Sequence, residues 1–455
     1  MLSEVAHACF RLPRGSVSMS AAAKLRNSDL ASALTEVREA YVAARPASRA
    51  LHERARAVMP GGNTRTVLIY SPFPTAMEGG EGCYLRDIDG RIYLDLCGEY
   101  TAGLFGHSEQ RIHDAVREAL GRGLNLAAVG EAETSLAGLV CGRFPSVELV
   151  RFTNSGTEAN LMALTAARHH TGRDTIMAFR GGYHGGVLLF PLSGTNPATV
   201  PFPFLMADYN DVDGTVALIR ENADRLAAVI VEPMLGSGGC IPARPDFLAA
   251  LRKATAEAGI VLIFDEVMTS RMSAGGLQLK HGITPDMTTL GKYMAGGMSF
   301  GAFGGRADIM GLFDGKIAHA GTFNNNVLSM AAGNVALGTI FTPEAADVLF
   351  VRGEAMRATL NEILARAGTT MHFSGIGSMA TVQFRAGPIE RPSPPTGEEE
   401  ALRELFFFDM LAAGIYLARR GMVALSLPVG DVEIDRFAAA VADFAEARAA
   451  LLPRA

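Results

Sequence analysis

The sequence predicts an α/β protein: a large domain around a mostly parallel sheet, followed by a smaller α+β unit. Three observations predict it. Short runs that are apolar at nearly every position recur between about residues 110 and 340: Leu149–Phe152, Thr175–Phe179, Ala228–Val231, Val261–Phe264 and Phe300–Phe303. Strands of that kind are covered on both faces, as in parallel sheets with crossover helices. Helical segments separate these runs. After about Phe341 the pattern changes to long helices and one alternating run, Met379–Phe384.

The elements follow in order. Leu30, Leu34, Val37 and Tyr41 share a helical spacing, so a helix is expected from about Asp29 to Met59, ended by Pro60-Gly61-Gly62. Gly82 to Asp95 reads as a β-hairpin turning at Asp89-Gly90. Glu158 to Arg168 reads as a helix opened by Ser155-Gly156-Thr157. A helix is expected near 345–367, then the Pro-rich loop Pro392–Gly397, another helix, and a last one near Asp435–Leu451. The expected division is a loose extension over 1–25, a segment over 26–75 that packs with the small domain, a large domain over 76–340 and a small domain over 341–455.

Composition sets the broad class. The chain has 455 residues, 49% hydrophobic and 19% charged, with a net charge of -6. It carries no basic run, which argues against a nucleic-acid partner, and no apolar stretch near the roughly 20 residues of a membrane span. Its five cysteines, Cys9, Cys83, Cys97, Cys141 and Cys240, form no CxxC pair, so no disulfide framework or metal site is expected and the cytoplasm is the default. The segment before about Ser20 lacks the apolar core of a secretory signal, and Glu4 argues against a transit peptide. Met19 is an alternative start.

In parallel sheets ligands gather at the carboxyl ends of strands. Asp265 and Ser155 lie at two such ends, and Lys292 adds a third candidate. Lys292 follows Thr288–Gly291 in apolar, glycine-rich surroundings, where its amine would lose water and its charge. Asp265 ends a buried strand, where a carboxylate needs a cation; the adjacent Glu266 is the alternative. Ser155-Gly156-Thr157 offers helix-start N–H groups and two hydroxyls to a phosphate dianion. A lysine to form a Schiff base, an acid for a pyridinium nitrogen and a phosphate turn are the parts of a pyridoxal 5'-phosphate (PLP) site. Tyr183, in Gly181–Gly186, has a ring suited to stacking on the cofactor; His184 beside it reads as packing. Asn160 adds little. Glu232 ends another strand as a supporting acid or a strand terminator. Thr322, in Gly321–Asn326, is a second phosphate candidate.

Together these pieces resemble the class III (fold-type I) PLP-dependent aminotransferases over nearly the whole chain. The stretches that carry the resemblance are Tyr93–Asp95, Gly106–Ser108, Asn154–Asn160, Tyr183–Gly185, Phe264–Thr269, Leu290–Lys292 and Gly321-Thr322. The resemblance implies a seven-stranded sheet, Lys292 on the cofactor, Asp265 on its ring nitrogen, Ser155, Gly156 and Thr157 on its phosphate, and Tyr183 and Val267 on its two faces. It also implies a homodimer with shared active sites, in which Thr322 reaches the partner's phosphate. Pro60–Asn63, Asp265–Thr269 and Gly296–Met298 are similar to glutamate-1-semialdehyde 2,1-aminomutases. Arg65–Pro74, Glu99–Gly103, Gly321–Asn326 and Arg420–Ser426 are more similar to β-amino acid (β-phenylalanine) aminotransferases.

That reading has a physical side. A transaminase takes an amino donor and a keto-acid acceptor in one pocket, and arginine is the preferred carboxylate anchor. Arg65 and Arg420 are the candidates; the resemblance implies that Arg65 takes the carboxylate of a β-amino acid and Arg420 serves the dicarboxylic acceptor, with Arg419 as the rival for the second role. The expected acceptor is 2-oxoglutarate or pyruvate. Phe73, Tyr100 and Met298 are expected to line an apolar pocket. The expected reaction turns an aromatic β-amino acid into a β-keto acid. The same-class alternative is the aminomutase; the alternative of another class is a non-catalytic PLP-binding protein.

Overall fold

The computed structural model describes residues 29–454. The readings of residues 1–25 as a loose extension and of Met19 as a start lie outside them, as does Cys9.

The expected helix over 29–59 is two helices, Leu30–Ala43 and Pro46–Arg56. Pro46 has no N–H to give a continuing helix, so the chain breaks at Arg45 and Pro46 opens the second helix. The first helix packs on the late helix Gly397–Ala412: Tyr41 meets Phe408 at 5.0 Å between ring centroids, and Arg38 Nε reaches Glu404 Oε1 at 2.6 Å. The hairpin forms as expected, with Tyr84–Asp87 antiparallel to Ile92–Asp95. A strand from far down the chain, Ile415–Tyr416, adds parallel to it.

The central sheet has seven strands in the order 149–153, 301–305, 287–291, 261–265, 226–231, 175–179 and 204–207. Six run the same way. Gly301–Gly305 is antiparallel to both its neighbours, pairing Gly301 with Thr153 and with Gly291. That reversal matters for the site, because it brings the start of this strand to the edge where the other six end. Strands Thr175–Phe179, Leu226–Val231 and Val261–Asp265 are buried at every position, as their unbroken apolar runs predict. The helix after Ser155 is longer than expected, Gly156–Thr171, and stops at the left-handed Gly172.

The C-terminal part contains the 24-residue helix Pro343–Arg366 and a three-stranded antiparallel sheet in which Met379–Gln383 is central. This strand is buried on both faces rather than alternating, because helices cover one side and the large sheet's loops the other. The last helix is Asp431–Ala447, four residues earlier than expected at its start. Among the described residues no single helix is long and apolar enough to cross a membrane. Nor do three His, Cys, Asp or Glu side chains among them gather to hold a metal ion.

Candidate active site

The strand ends at one edge of the central sheet surround a cavity of about 250 Å³. Ser155, Gly156, Thr157, Tyr183, Glu232, Asp265, Val267, Lys292 and Met298 all line it. Met298 joins them through the reversed strand, which it precedes.

Asp265 is 4% exposed and fully bonded on its inner side. Its Oδ1 accepts from Val267 N at 3.0 Å. Its Oδ2 accepts from Asn160 Nδ2 at 2.9 Å and meets His184 Nδ1 at 2.8 Å. A carboxylate oxygen only accepts, so Nδ1 of His184 carries a proton in this pair. Asn160 is fixed in turn by Thr289 Oγ1, which donates to its Oδ1 at 2.6 Å, and it also donates to the His184 carbonyl at 2.9 Å. Asn160 and His184 therefore do work that the sequence reading missed. A signal for Asn160 is its polarity in an Ala-rich helix, five residues after the cap. His184 stands beside a tyrosine in a glycine turn, and nothing local points it at Asp265. Glu266 turns the other way. It is 0% exposed and accepts from Leu277 N, Gln278 N and Thr269 Oγ1, each at 2.8 Å, so it anchors the helix Gly276–His281.

Lys292 follows the strand Met287–Gly291 in a left-handed conformation, φ 57°. For a side-chain-bearing residue that is a costly backbone state, held by its surroundings. Burial pushes the amine's pKa down and Arg420 adds to this, while Asp265 and Glu232 oppose it. The result favours a neutral amine, the form that attacks a carbonyl carbon. Glu232 accepts from Tyr183 N at 2.9 Å and from Gly236 N at 3.0 Å. Burial pushes its carboxyl up to about 7, partly offset by His184.

The turn at Ser155 has the groups that could hold an anion. Ser155 Oγ accepts from Glu158 N at 3.2 Å, and Thr157 Oγ1 accepts from Gly186 N at 3.2 Å. Both hydroxyls are thus occupied as acceptors and keep their own protons to donate. Small residues keep the cradle open. A Cβ on Gly156 would lie 2.9 Å from Val267, and one on Gly185, at φ 125°, would lie 2.3 Å from Thr157 Oγ1. Gly185→Ala is expected to destabilise the fold by about 1–3 kcal/mol and to weaken phosphate-group binding. Thermal unfolding and titration with PLP check this; a variant that melts and binds like wild type contradicts the cradle. The parts fit PLP: hydroxyls and helix N–H groups for phosphate, a bonded buried acid and a poorly hydrated lysine.

Beside the cavity, Arg65 and Arg420 converge on Tyr100, with guanidinium carbons 5.9 and 5.3 Å from the ring centroid. Arg65 Nη1 pairs with Glu99 Oε1 at 2.7 Å. Arg420 has no carboxylate partner among the described residues; Nη2 touches Met422 Sδ at 3.3 Å and Nε has no partner. Arg419 points away, paired with Glu404 at 3.0 Å and Glu400 at 3.4 Å. Phe73 does not reach the cavity: it is 4% exposed and packs on Tyr41 at 5.2 Å, because the tyrosine hydroxyl also holds its carbonyl at 2.8 Å. Thr322 is exposed and outside this chain's own cavity; its loop docks through Asn324 Oδ1, which accepts from Asn154 Nδ2 at 3.0 Å.

Comparison with known proteins agrees with this geometry. Residues 69–430 match the family model of class-III aminotransferases. The β-phenylalanine transaminase of Variovorax paradoxus is 52% identical over 426 residues, 93% of this chain and 98% of that protein. A glutamate-1-semialdehyde 2,1-aminomutase of Methanosarcina acetivorans is 37% identical over 386 residues, 81% of this chain and 91% of that one. The crystal structure of a β-phenylalanine aminotransferase from Variovorax paradoxus superposes with a TM-score of 0.92 at 51% identity, covering 94% of this chain and 100% of that chain. With the family matched over most of its length and a cavity made of the parts that cofactor needs, this chain belongs to the class-III aminotransferases and is a PLP-dependent enzyme of that family.

Proposed function

We propose that the enzyme transfers the amino group of an aromatic β-amino acid, such as β-phenylalanine, to 2-oxoglutarate or pyruvate, giving a β-keto acid. The observation that carries this reading is the pair Arg65 and Arg420 meeting over Tyr100 at the cavity's side. Two separate guanidinium groups suit a pocket that takes two carboxylate substrates in turn. The 52% identical transaminase supports the choice of donor. Arg420, with no carboxylate partner among the described residues, is the anchor for the acceptor; Arg419 is committed to its own ion pairs.

In this reading PLP supplies the carbonyl that receives the amino group and a ring that draws electrons from the carbon losing its proton. Ser155, Gly156 and Thr157 hold the phosphate, and Tyr183 and Val267 confine the ring. Asp265, fixed by His184 and Asn160, would keep the ring nitrogen of a bound cofactor protonated. The amine of Lys292 would hold the cofactor and, once free, move the proton of the substrate carbon bearing nitrogen. Glu232 supports the Tyr183 backbone. Met298 and Tyr100 shape the side-chain pocket. We further propose a cytoplasmic homodimer, in which the exposed loop of Thr322 reaches the partner's phosphate, and the division into 76–340 and 341–455 as its large and small domains.

Arg65→Ala is expected to raise KM for β-phenylalanine about tenfold, the loss of one charge-assisted contact, with little change in melting temperature. An unchanged KM removes Arg65 from the substrate site. The reaction itself is tested by adding racemic β-phenylalanine to the holoenzyme without a keto acid. Conversion of the cofactor to its amine form, reversed by 2-oxoglutarate, is the expected result. No conversion, with turnover of glutamate-1-semialdehyde in its place, identifies an aminomutase; no response to any amine identifies a non-catalytic PLP protein.

A further inference from the structure

Four consecutive residues beside the cavity have left-handed backbones: Gly98 at φ 52°, Glu99 at 46°, Tyr100 at 54° and Thr101 at 82°. Single residues visit this region; a run of three with side chains needs the surroundings to hold it. Its entry is tied by Asp95, whose Oδ1 accepts from Cys97 N at 2.9 Å and Gly98 N at 3.0 Å. Its exit is buried: Thr101 is 0% exposed and its carbonyl faces Arg271 Nη1 at 3.5 Å.

Arg271 is itself 1% exposed and has no carboxylate partner among the described residues. Burial pushes its pKa down to about 10, with Tyr293 opposing. A buried cation without a counter-ion disfavours the folded state unless its hydrogen bonds are well made. Its bonds go to three separate segments. Nη1 faces the turn, Nη2 donates to the Leu425 carbonyl, and Nε donates to Ser378 Oγ at 2.9 Å. Leu425 directly follows the strand Met422–Ala424, which leads on from Arg420. The rigid guanidinium fork thus spans the gap between the turn that presents Tyr100 and the strand that presents Arg420.

We propose that Arg271 is a positioning residue for carboxylate recognition: it locks the left-handed turn so that Glu99 and Tyr100 hold Arg65 and Arg420 in register. The inference rests on the assignment of those two arginines to the substrates' carboxylates. It does not place Arg271 in contact with substrate.

Arg271→Lys keeps the charge but not the three-way fork. In the holoenzyme, hydrogen exchange at the turn amides of Tyr100, Ala102 and Gly103 is expected to speed up about tenfold or more, while the strand Val261–Asp265 stays unchanged. KM for β-phenylalanine is expected to rise about tenfold, with kcat within about threefold. Unchanged exchange in the turn overturns the clamp. Faster exchange with an unchanged KM overturns its part in recognition, as does a matched fall in kcat and stability alone. If wild-type enzyme does not deaminate β-phenylalanine, the proposed function fails while the exchange measurement still decides the clamp. Should Arg271→Lys not fold, Ser378→Ala removes the Nε bond and a long contact to Met272 Sδ at 3.9 Å, and is expected to give the same pattern in weaker form; a wild-type exchange pattern in that variant overturns the proposal.

Discussion

Lys292→Ala is expected to lower turnover by at least about 10⁴-fold, the upper range for removing a positioned acid–base group. The argument rests on how many jobs one atom performs. In the proposed reaction Nζ of Lys292 would both hold the cofactor and move the proton of the substrate carbon. No other amine lines the cavity. Glu232 is the nearest substitute in kind, yet both its oxygens are bound to backbone N–H groups. The loss is measured as kcat in steady state and as loss of the visible absorption of lysine-bound cofactor. The same variant has a second, independent signature. Burial holds the lysine's pKa below its ordinary value, so the folded apoprotein disfavours the charged form. Between the lowered folded-state pKa and the unfolded value of about 10.4, the unfolded chain binds more protons than the folded one. The penalty is full at low pH and fades as pH rises toward that value. Lys292→Ala should therefore gain stability at neutral pH relative to wild type, less so at pH 10. Wild-type turnover in the variant would sink the mechanism; a stability difference that grows with pH would contradict the electrostatic account.

Some of this site was legible because the signals are local. A parallel strand buried on both faces is a run of apolar residues, and the polar residue that ends it stands out. Asp265 and Ser155 were found that way, Lys292 by its apolar, glycine-rich neighbours, and all three line one cavity. What failed to show was whatever depends on contacts distant in sequence. His184 and Asn160 meet Asp265 across 81 and 105 residues. Nothing local distinguishes His184 from a packed histidine, and the polarity of Asn160 in its Ala-rich helix does not name its partner. Arg419 and Arg420 are adjacent, so neither composition nor spacing ranks them. Both sit in the turn closed by Gly421 N on the Ala418 carbonyl, and only the structure gives one to Glu400 and Glu404 and the other to Tyr100. Phe73 failed for a related reason: an aromatic near a site serves core and pocket equally well until its partners are known. The reversed strand Gly301–Gly305 was read correctly as a strand, but its direction is a property of pairing, which apolar runs do not encode.

Asp265→Asn is expected to lower kcat by about 10²–10³-fold while leaving phosphate-group binding nearly intact. The substitution keeps the shape of the side chain and removes its charge. The surroundings make that removal uncomfortable, because every group around this carboxyl is a donor: Val267 N, Asn160 Nδ2 and His184 Nδ1. An amide placed there must turn its NH₂ toward one of them. Facing Val267 N, it opposes a backbone donor that cannot change. Facing the other pair, His184 can shift its proton to Nε2 and accept, but Asn160 is held by Thr289 and cannot. One unpaired buried donor remains in either arrangement, at a cost of about 1–3 kcal/mol. The variant should therefore melt earlier as well as turn over slowly. His184→Phe separates the two effects, because it leaves the charge on Asp265 and removes only one of its supports. Its kcat is expected to fall far less than that of Asp265→Asn. Equal losses in the two variants would mean that orientation, not charge, is what Asp265 contributes. An Asp265→Asn enzyme with wild-type kcat would move the acid's role to the other buried carboxyl at the cavity, Glu232, whose pKa of about 7 leaves it partly protonated at neutral pH.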